Sequence, residues 1–344
     1  MKISFKNDYA EGAHPAILEA LMRTNHLQQP GYGWDDYSVA AKELLREKIA
    51  CPEAQIHFVS GGTQANMLVI AASLRAYESV IALETGHIAD SETGAIEAVG
   101  HKIHLAPPVN GKITPESIHS FATNYTNFPH QVKPRLVYLT NATELGTCYT
   151  LAELKAIYEC CQAHDLLLYM DGARLGSALV SENNDLWWED VARYTDVFYI
   201  GATKNGGLLG EAIVISHPDL QKGFEYHLKQ RGALLAKGRV LGLQFLTLFE
   251  NGLYEALART ANERMKAIKK AFAAKGIKFL TDSYTNQLFP ILTHRQVAQL
   301  SAHFDFYEWK AIDESHRAIR LITSWATTEA QVGRLVEEIE KLAD

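Results

Sequence analysis

Between residues 55 and 216 the chain alternates short apolar runs with longer amphipathic stretches. The runs lie at 56–59, 80–83, 103–105, 136–139, 166–170, 197–200 and 212–215. Most are continuous rather than alternating, as in strands covered on both faces. Between them, residues 64–77 put Met67, Leu68, Ala71 and Leu74 on one stripe, and 151–164 do the same with Leu154, Ile157, Tyr158 and Cys161. Both spacings predict helices. Strand and helix in alternation predict an α/β fold: a mostly parallel seven-stranded sheet with helices on both faces.

The pattern changes near residue 250. A long helix is expected over 253–274, stopped by Lys275-Gly276. Short strands at 278–280, 288–292 and 319–323 and helices at 295–303 and 328–342 follow. The expected organisation is a large α/β domain over 41–250 and a small C-terminal α+β domain over 251–344. Residues 1–40, with Pro30-Gly31-Tyr32-Gly33, read as an arm and loop rather than a core element.

Composition narrows the function classes. With 344 residues, 47% of them apolar, the chain can bury a sizeable core. A net charge of −7 argues against a general nucleic-acid or anionic-membrane surface. No apolar stretch is long enough to cross a bilayer, and the N-terminus lacks the apolar core of a signal peptide. Cys51, Cys148, Cys160 and Cys161 have no disulfide-framework spacing, so a reduced, cytoplasmic protein is expected.

Polar motifs follow five of the runs: Ser60-Gly61-Gly62-Thr63, Glu84-Thr85-Gly86-His87, residues 141–147, Asp171-Gly172-Ala173-Arg174 and Ala202-Thr203-Lys204. In open α/β sheets the ligand crevice lies at the carboxyl ends of the strands, so these motifs converge on one edge. Gly62 and Thr63 open a helix whose first N–H groups suit a phosphate, although Gly-Gly-Thr also suits a turn and cap. The motif is neither a Walker A loop nor a dinucleotide fingerprint. Lys204 and Asp171, each ending a buried strand, are the pair that pyridoxal 5'-phosphate chemistry needs. The lysine forms a Schiff base with the aldehyde, and the aspartate holds the pyridine nitrogen protonated. His87 can stack on a ring or exchange a proton, and Arg174 can clamp a carboxylate. His101 and His104 face opposite sides of a strand, which leaves no shared metal.

Together these motifs resemble the threonine aldolase and β-eliminating lyase family of fold-type I pyridoxal phosphate enzymes. Ser60-Gly61-Gly62-Thr63-Gln64-Ala65-Asn66 resembles its Gly-Thr-Gln-Ala-Asn phosphate cradle. Tyr169-Met170-Asp171-Gly172-Ala173-Arg174 resembles its Val-Asp-Gly-Ala-Arg strand end, and Ala318-Ile319-Arg320-Leu321-Ile322-Thr323 its Val-Arg-Leu-Val-Thr segment. Ala202-Thr203-Lys204 stands where the family has Ser-Lys. Aminotransferases of the superfamily usually carry a tyrosine shortly after the pyridine aspartate; Arg174 instead favours the aldolase branch. Three departures touch the expected site: Asn7 replaces a serine, Trp34 interrupts a Tyr-Gly-Asp-Asp loop, and residues 140–147 replace a Glu-Asn-Thr-His-Asn segment.

The resemblance implies that Lys204 carries the cofactor, Asp171 meets the pyridine nitrogen and His87 stacks on the ring. Gly62, Thr63 and Thr203 would bind phosphate. Arg174 and Arg320 would hold the substrate carboxylate beside Asn7. His130 falls where the family places a second histidine near the substrate hydroxyl. Lys229, Arg231 and Tyr32 would reach the cofactor region at a subunit boundary in a homodimer or homotetramer. The implied reaction is retro-aldol cleavage of L-threonine or L-allo-threonine, with His130 or a water held by His87 as base. Another β-eliminating lyase, racemase or aminotransferase activity, or a non-catalytic cofactor-binding role, remains open on these residues.

Overall fold

The computed structural model describes residues 2–343, so Met1 and Asp344, the extreme ends of the expected arm and small domain, lie outside the described residues. After a two-residue strand β1 (Ile3–Ser4), all seven apolar runs become strands. They are β2 (Gln55–Val59), β3 (Glu78–Leu83), β4 (Ile103–Ala106), β5 (Lys133–Thr140), β6 (Leu167–Asp171), β7 (Val197–Gly201) and β8 (Glu211–Ile215). They form one sheet in the order β2-β8-β7-β6-β5-β3-β4. Only β8 runs against its neighbours, so its first residue, Glu211, reaches the edge where the other six strands end.

The two-residue period of the strands divides their side chains between two apolar layers. Val137, Leu139, Leu168, Met170, Phe198 and Ile200 pack with Leu154, Ile157 and Cys161 of the helix Leu151–Ala163. Leu136, Tyr138, Tyr169, Val197 and Tyr199 pack on the other face with Leu68 and Val69 of the helix Gly62–Ser73. Both faces are covered, which is why the runs are continuous.

The C-terminal part centres on the helix Leu253–Ala274, whose buried Tyr254, Leu257, Ala258, Ala261, Met265, Ile268 and Phe272 form one stripe. It stops as expected: Gly276 takes a φ of 71°, and the Gly276 and Ile277 N–H groups bond back to Ala273 and Phe272. Five strands follow: β9 (Gln287–Leu288), β10 (Ile291–Thr293), β11 (Phe304–Asp305), β12 (Tyr307–Ala311) and β13 (His316–Ile322). β13 pairs with β9, β10 and β12, all antiparallel. The strand expected at 278–280 is only a single bridge, Phe279 to Pro290.

The N-terminal stretch departs from the expected arm and loop. β1 pairs in parallel with β11, and the fully buried Phe5 joins the apolar cluster of the C-terminal helices and strands. Residues Pro15–Thr24 are helical and bury Ile17 in the main core. A second helix, Asp36–Lys48, spans the expected boundary at residue 40 and is capped by Asp35, which accepts the Ser38 N–H at 2.8 Å. Among the described residues no helix is long and apolar enough to cross a membrane.

Candidate active site

Asp171 lies at the carboxyl end of β6, on the same face as Tyr169 two residues earlier. Tyr138 of β5 and Tyr199 of β7 flank it on that face. Tyr199 Oη donates to Oδ1 at 2.5 Å and Tyr138 Oη to Oδ2 at 2.6 Å. The Ala173 N–H donates to Oδ1 at 3.0 Å, and Asn66 Nδ2 stands 3.4 Å from Oδ2. Burial, together with the Asp171 charge, pushes both tyrosine hydroxyls far above their ordinary range, so they serve as neutral donors. Asp171 thus has four donors and, among the described residues, no cation in contact. Gly172 is required by the close approach of neighbouring chain: a Cβ there would meet the Tyr199 carbonyl oxygen at 1.8 Å.

Lys204 occupies the loop between β7 and β8. Burial, reinforced by the Arg174 charge, lowers its pKa below that of an ordinary lysine, against the pull of Asp8, Asp171 and Glu211. It makes no hydrogen bond or ion pair among the described residues. An amine so held loses its proton easily and can attack a carbonyl. Nearby Glu211 is pushed by burial up to about 8.

The helix Gly62–Ser73 begins on Gly61 with no side-chain cap, which leaves its first N–H groups available. A Cβ on Gly62 would meet the Tyr199 hydroxyl at 3.0 Å. Thr203 instead secures its own loop, accepting the Gly210 N–H at 3.0 Å. His87 opens the turn after β3. Its Nδ1 donates to the buried Glu92 at 2.8 Å, and the same Oε1 accepts Asn66 Nδ2 at 2.7 Å. The bond to Glu92 raises the His87 pKa, with burial opposing and Asp171 assisting.

The two arginines are held differently. Arg174 lays its fork on Asp8, Nε to Oδ2 at 2.8 Å and Nη2 to Oδ1 at 3.0 Å, and Asn286 Nδ2 adds a third donor at 2.9 Å. Burial opposes the Asp8 charge, yet Arg174 and Lys204 hold its carboxyl below the ordinary aspartate range. Arg320, on β13, stands over the rings of Tyr307 and Trp309 at 5.0 and 4.6 Å, and its Nε is buried without a partner. Burial and the Arg174 charge lower its pKa. No carboxylate pairs with it among the described residues.

Lys204, Asp171, His87, Arg174, Arg320 and the Gly62-Thr63 turn therefore gather at one sheet edge. Asn7 adjoins the Asp8 ion pair but spends its Oδ1 on the Tyr9 N–H. His130 does not join them. It is exposed, in the loop that enters β5 at its amino end, the edge opposite the site. Lys229 lies over the Tyr32 ring at 4.7 Å and Arg231 bonds to His227 and Gln230, so within one chain none of these three touches the cluster. His101 and His104 go to separate partners, the Glu78 carbonyl and the Ser79 hydroxyl. Tyr138, Tyr199 and Glu92 escaped the motif reading, and Asn66 and Glu144 stood within quoted motifs without a role. The tyrosines sit inside apolar runs, where they look like core residues; the spacing of Glu92 from His87 was the one usable signal.

The sequence profile of the β-eliminating lyase family matches residues 8–295. The chain belongs to that family. Within the β-eliminating lyases it is 33% identical to the low specificity L-threonine aldolase of Pseudomonas aeruginosa, covering 97% of this chain and 96% of the relative. It superposes on the threonine aldolase of Leishmania major with a TM-score of 0.97 at 44% identity, covering 98% of this chain and 99% of that one. An aspartate aminotransferase of Thermus thermophilus, 15% identical with a TM-score of 0.72 over 99% and 91% of the two chains, shares the fold alone. The expected α/β architecture and the lyase family are thereby established.

Proposed function

We propose that this β-eliminating lyase uses pyridoxal 5'-phosphate to cleave an L-β-hydroxy-α-amino acid, L-threonine or L-allo-threonine, to glycine and an aldehyde. The observation that carries the reading is the pairing of Lys204, a buried amine with lowered pKa, with Asp171, a carboxylate surrounded only by neutral donors. The donor set fits the cofactor. Asp171 lacks a cation, which a protonated ring nitrogen would provide, and the uncapped start of the helix Gly62–Ser73 offers N–H groups to a phosphate. When bound, pyridoxal phosphate supplies an aldehyde for an amine and a ring that accepts the electron pair of the broken Cα–Cβ bond.

In this reading Lys204 would carry the cofactor, Asp171 would meet its ring nitrogen, and His87 would lie against its ring. Gly62 and Thr63 bind phosphate, with Thr203 supporting the loop behind them. Arg320 holds the substrate carboxylate, and Arg174 fixes Asp8 and Asn7 beside it. The carboxylate grip would orient the substrate for cleavage of its Cα–Cβ bond. Tyr32, Lys229 and Arg231 complete the site of a neighbouring subunit in a homodimer, which pairs into a homotetramer. Exposed Tyr32 and Trp34 on the N-terminal segment suit such a boundary. Four free cysteines suit the cytoplasm.

The decisive assay supplies L-threonine, L-allo-threonine and L-phenylserine and measures aldehyde and glycine together. Equal yields of both, abolished by Lys204→Ala, are expected. Pyruvate, a keto acid or a racemate as product would instead mark one of the other pyridoxal phosphate activities.

A further inference from the structure

With His130 at the opposite edge, the retro-aldol reading lacks the group that removes the proton from the substrate's β-hydroxyl. His87 has its Nδ1–H committed to Glu92, and the reading above sets its ring against the cofactor as a stacking group. Asp8 is locked by Arg174 and Asn286, and Asp171 by its four donors. Glu92 is taken by His87 and Asn66, and Glu211 lies at the start of β8 beside Thr203 and Lys204; the other carboxyl near this edge is Glu144.

Glu144 lies in residues 140–147, the segment that replaces Glu-Asn-Thr-His-Asn. Its Oε1 accepts the His87 N–H at 3.1 Å and the Thr140 hydroxyl at 2.8 Å. It therefore hangs beside His87, just past the end of β5, whose Thr140 is in register with Asp171. Among the described residues its Oε2 has no hydrogen-bond partner. The turn beneath it is pinned from several sides. Thr143 N–H bonds Thr147 O, Gln287 Nε2 bonds Thr143 O at 3.1 Å, and Thr281 Oγ1 bonds Leu145 O at 2.7 Å. Gly146 takes a φ of 74° and passes so close to Ser283 that a Cβ would lie 2.5 Å from its hydroxyl. Burial, aided by the Asp171 charge, raises the Glu144 pKa above the ordinary glutamate range, toward that of a useful base.

We propose that Glu144 is a catalytic residue: its Oε2 takes the proton from the substrate's β-hydroxyl as the Cα–Cβ bond breaks. The inference rests on the retro-aldol reading above. The O–H electron pair becomes the second bond of the aldehyde carbonyl. The Cα–Cβ pair stays on Cα, which later takes up one proton, while Glu144 releases its own to solvent. One proton leaves oxygen and one arrives at carbon, so no oxidant, reductant or other co-reactant is needed.

The test compares wild-type holoenzyme with Glu144→Gln. A glutamine oxygen can still accept from His87 and Thr140, so the scaffold is kept while the ionisable oxygen is lost. Three readouts are needed: retro-aldol kcat across pH, exchange of the glycine α-proton with deuterated water, and bound cofactor with glycine affinity. Glycine has no β-hydroxyl, so its exchange needs every part of the site except this base. The expected result is a fall of about 100-fold or more in retro-aldol kcat, loss of its acidic limb, and glycine exchange, glycine affinity and cofactor content within about twofold of wild type. Equal falls in cleavage and exchange would reduce Glu144 to a structural strut and overturn the proposal. Unchanged cleavage would overturn it too. Wild-type enzyme that exchanges glycine but cleaves no β-hydroxy amino acid would overturn the retro-aldol reading itself, and this inference with it.

Discussion

The exit of β6 and the middle of β13 each deliver an arginine to the site, and the same residue type ends in opposite circumstances. Arg174 is clamped in a bidentate pair with the fully buried Asp8. Arg320 rests on two aromatic faces with no carboxylate partner. A paired arginine holds structure; an unpaired one, already desolvated on one side, is ready for a carboxylate that arrives with substrate. From the motifs alone both would clamp substrate. The structure pairs Arg174 with a carboxylate and leaves Arg320 without one among the described residues.

Removing each arginine sharpens that contrast. Arg174→Ala leaves Asp8 as an uncompensated buried charge and should cost about 3–5 kcal/mol of stability, measured by denaturant unfolding. An unchanged stability would break the comparison at once. Arg320→Ala should cost no more than about 1 kcal/mol of stability while raising KM for amino acids roughly 10- to 100-fold, the worth of a charged hydrogen bond. Cofactor content should hold. An unchanged KM would remove Arg320 from the carboxylate site.

The Asp8 pair also predicts a pH dependence. Its folded pKa lies below the ordinary 3.8, so its stabilisation is fully present above that value and is lost as pH falls through the lowered one. Acid unfolding of wild type should contain this share, and Asp8→Asn should lack it. His87 works in the other direction. Its folded pKa is raised above 6.5, so its contribution is full below that value and fades as pH rises through the folded value. Glu92→Gln should flatten that smaller slope in a stability-versus-pH series.

The seven sheet strands were legible because burial on both faces writes them as unbroken apolar runs. The helix Leu253–Ala274 was legible through its stripe and glycine stop. β12 was not read: its Tyr307-Glu308-Trp309-Lys310-Ala311 alternates, but an exposed edge strand lacks the continuous apolar run that marked the others. The helices Pro15–Thr24 and Asp36–Lys48 were hidden by the Pro-Gly turn between them, although Asp35 and the Asp36-Tyr37-Ser38 start offered a cap. In the site, Lys204 and Asp171 were legible because their loops break buried strands. Tyr138 and Tyr199 were not, since the donors that surround Asp171 are spelled like core residues. His130 was placed by resemblance; it precedes β5, and only the strand direction reveals that within one chain it lies at the opposite edge.

In the proposed function Lys204, not another of the chain's lysines, bonds the cofactor beside Asp171. Borohydride reduction of the holoenzyme followed by peptide mapping tests it directly. The reduced cofactor is expected on the peptide containing Lys204, and none bound covalently in Lys204→Ala. The label on a different lysine, or a reducible bond that survives Lys204→Ala, would contradict it.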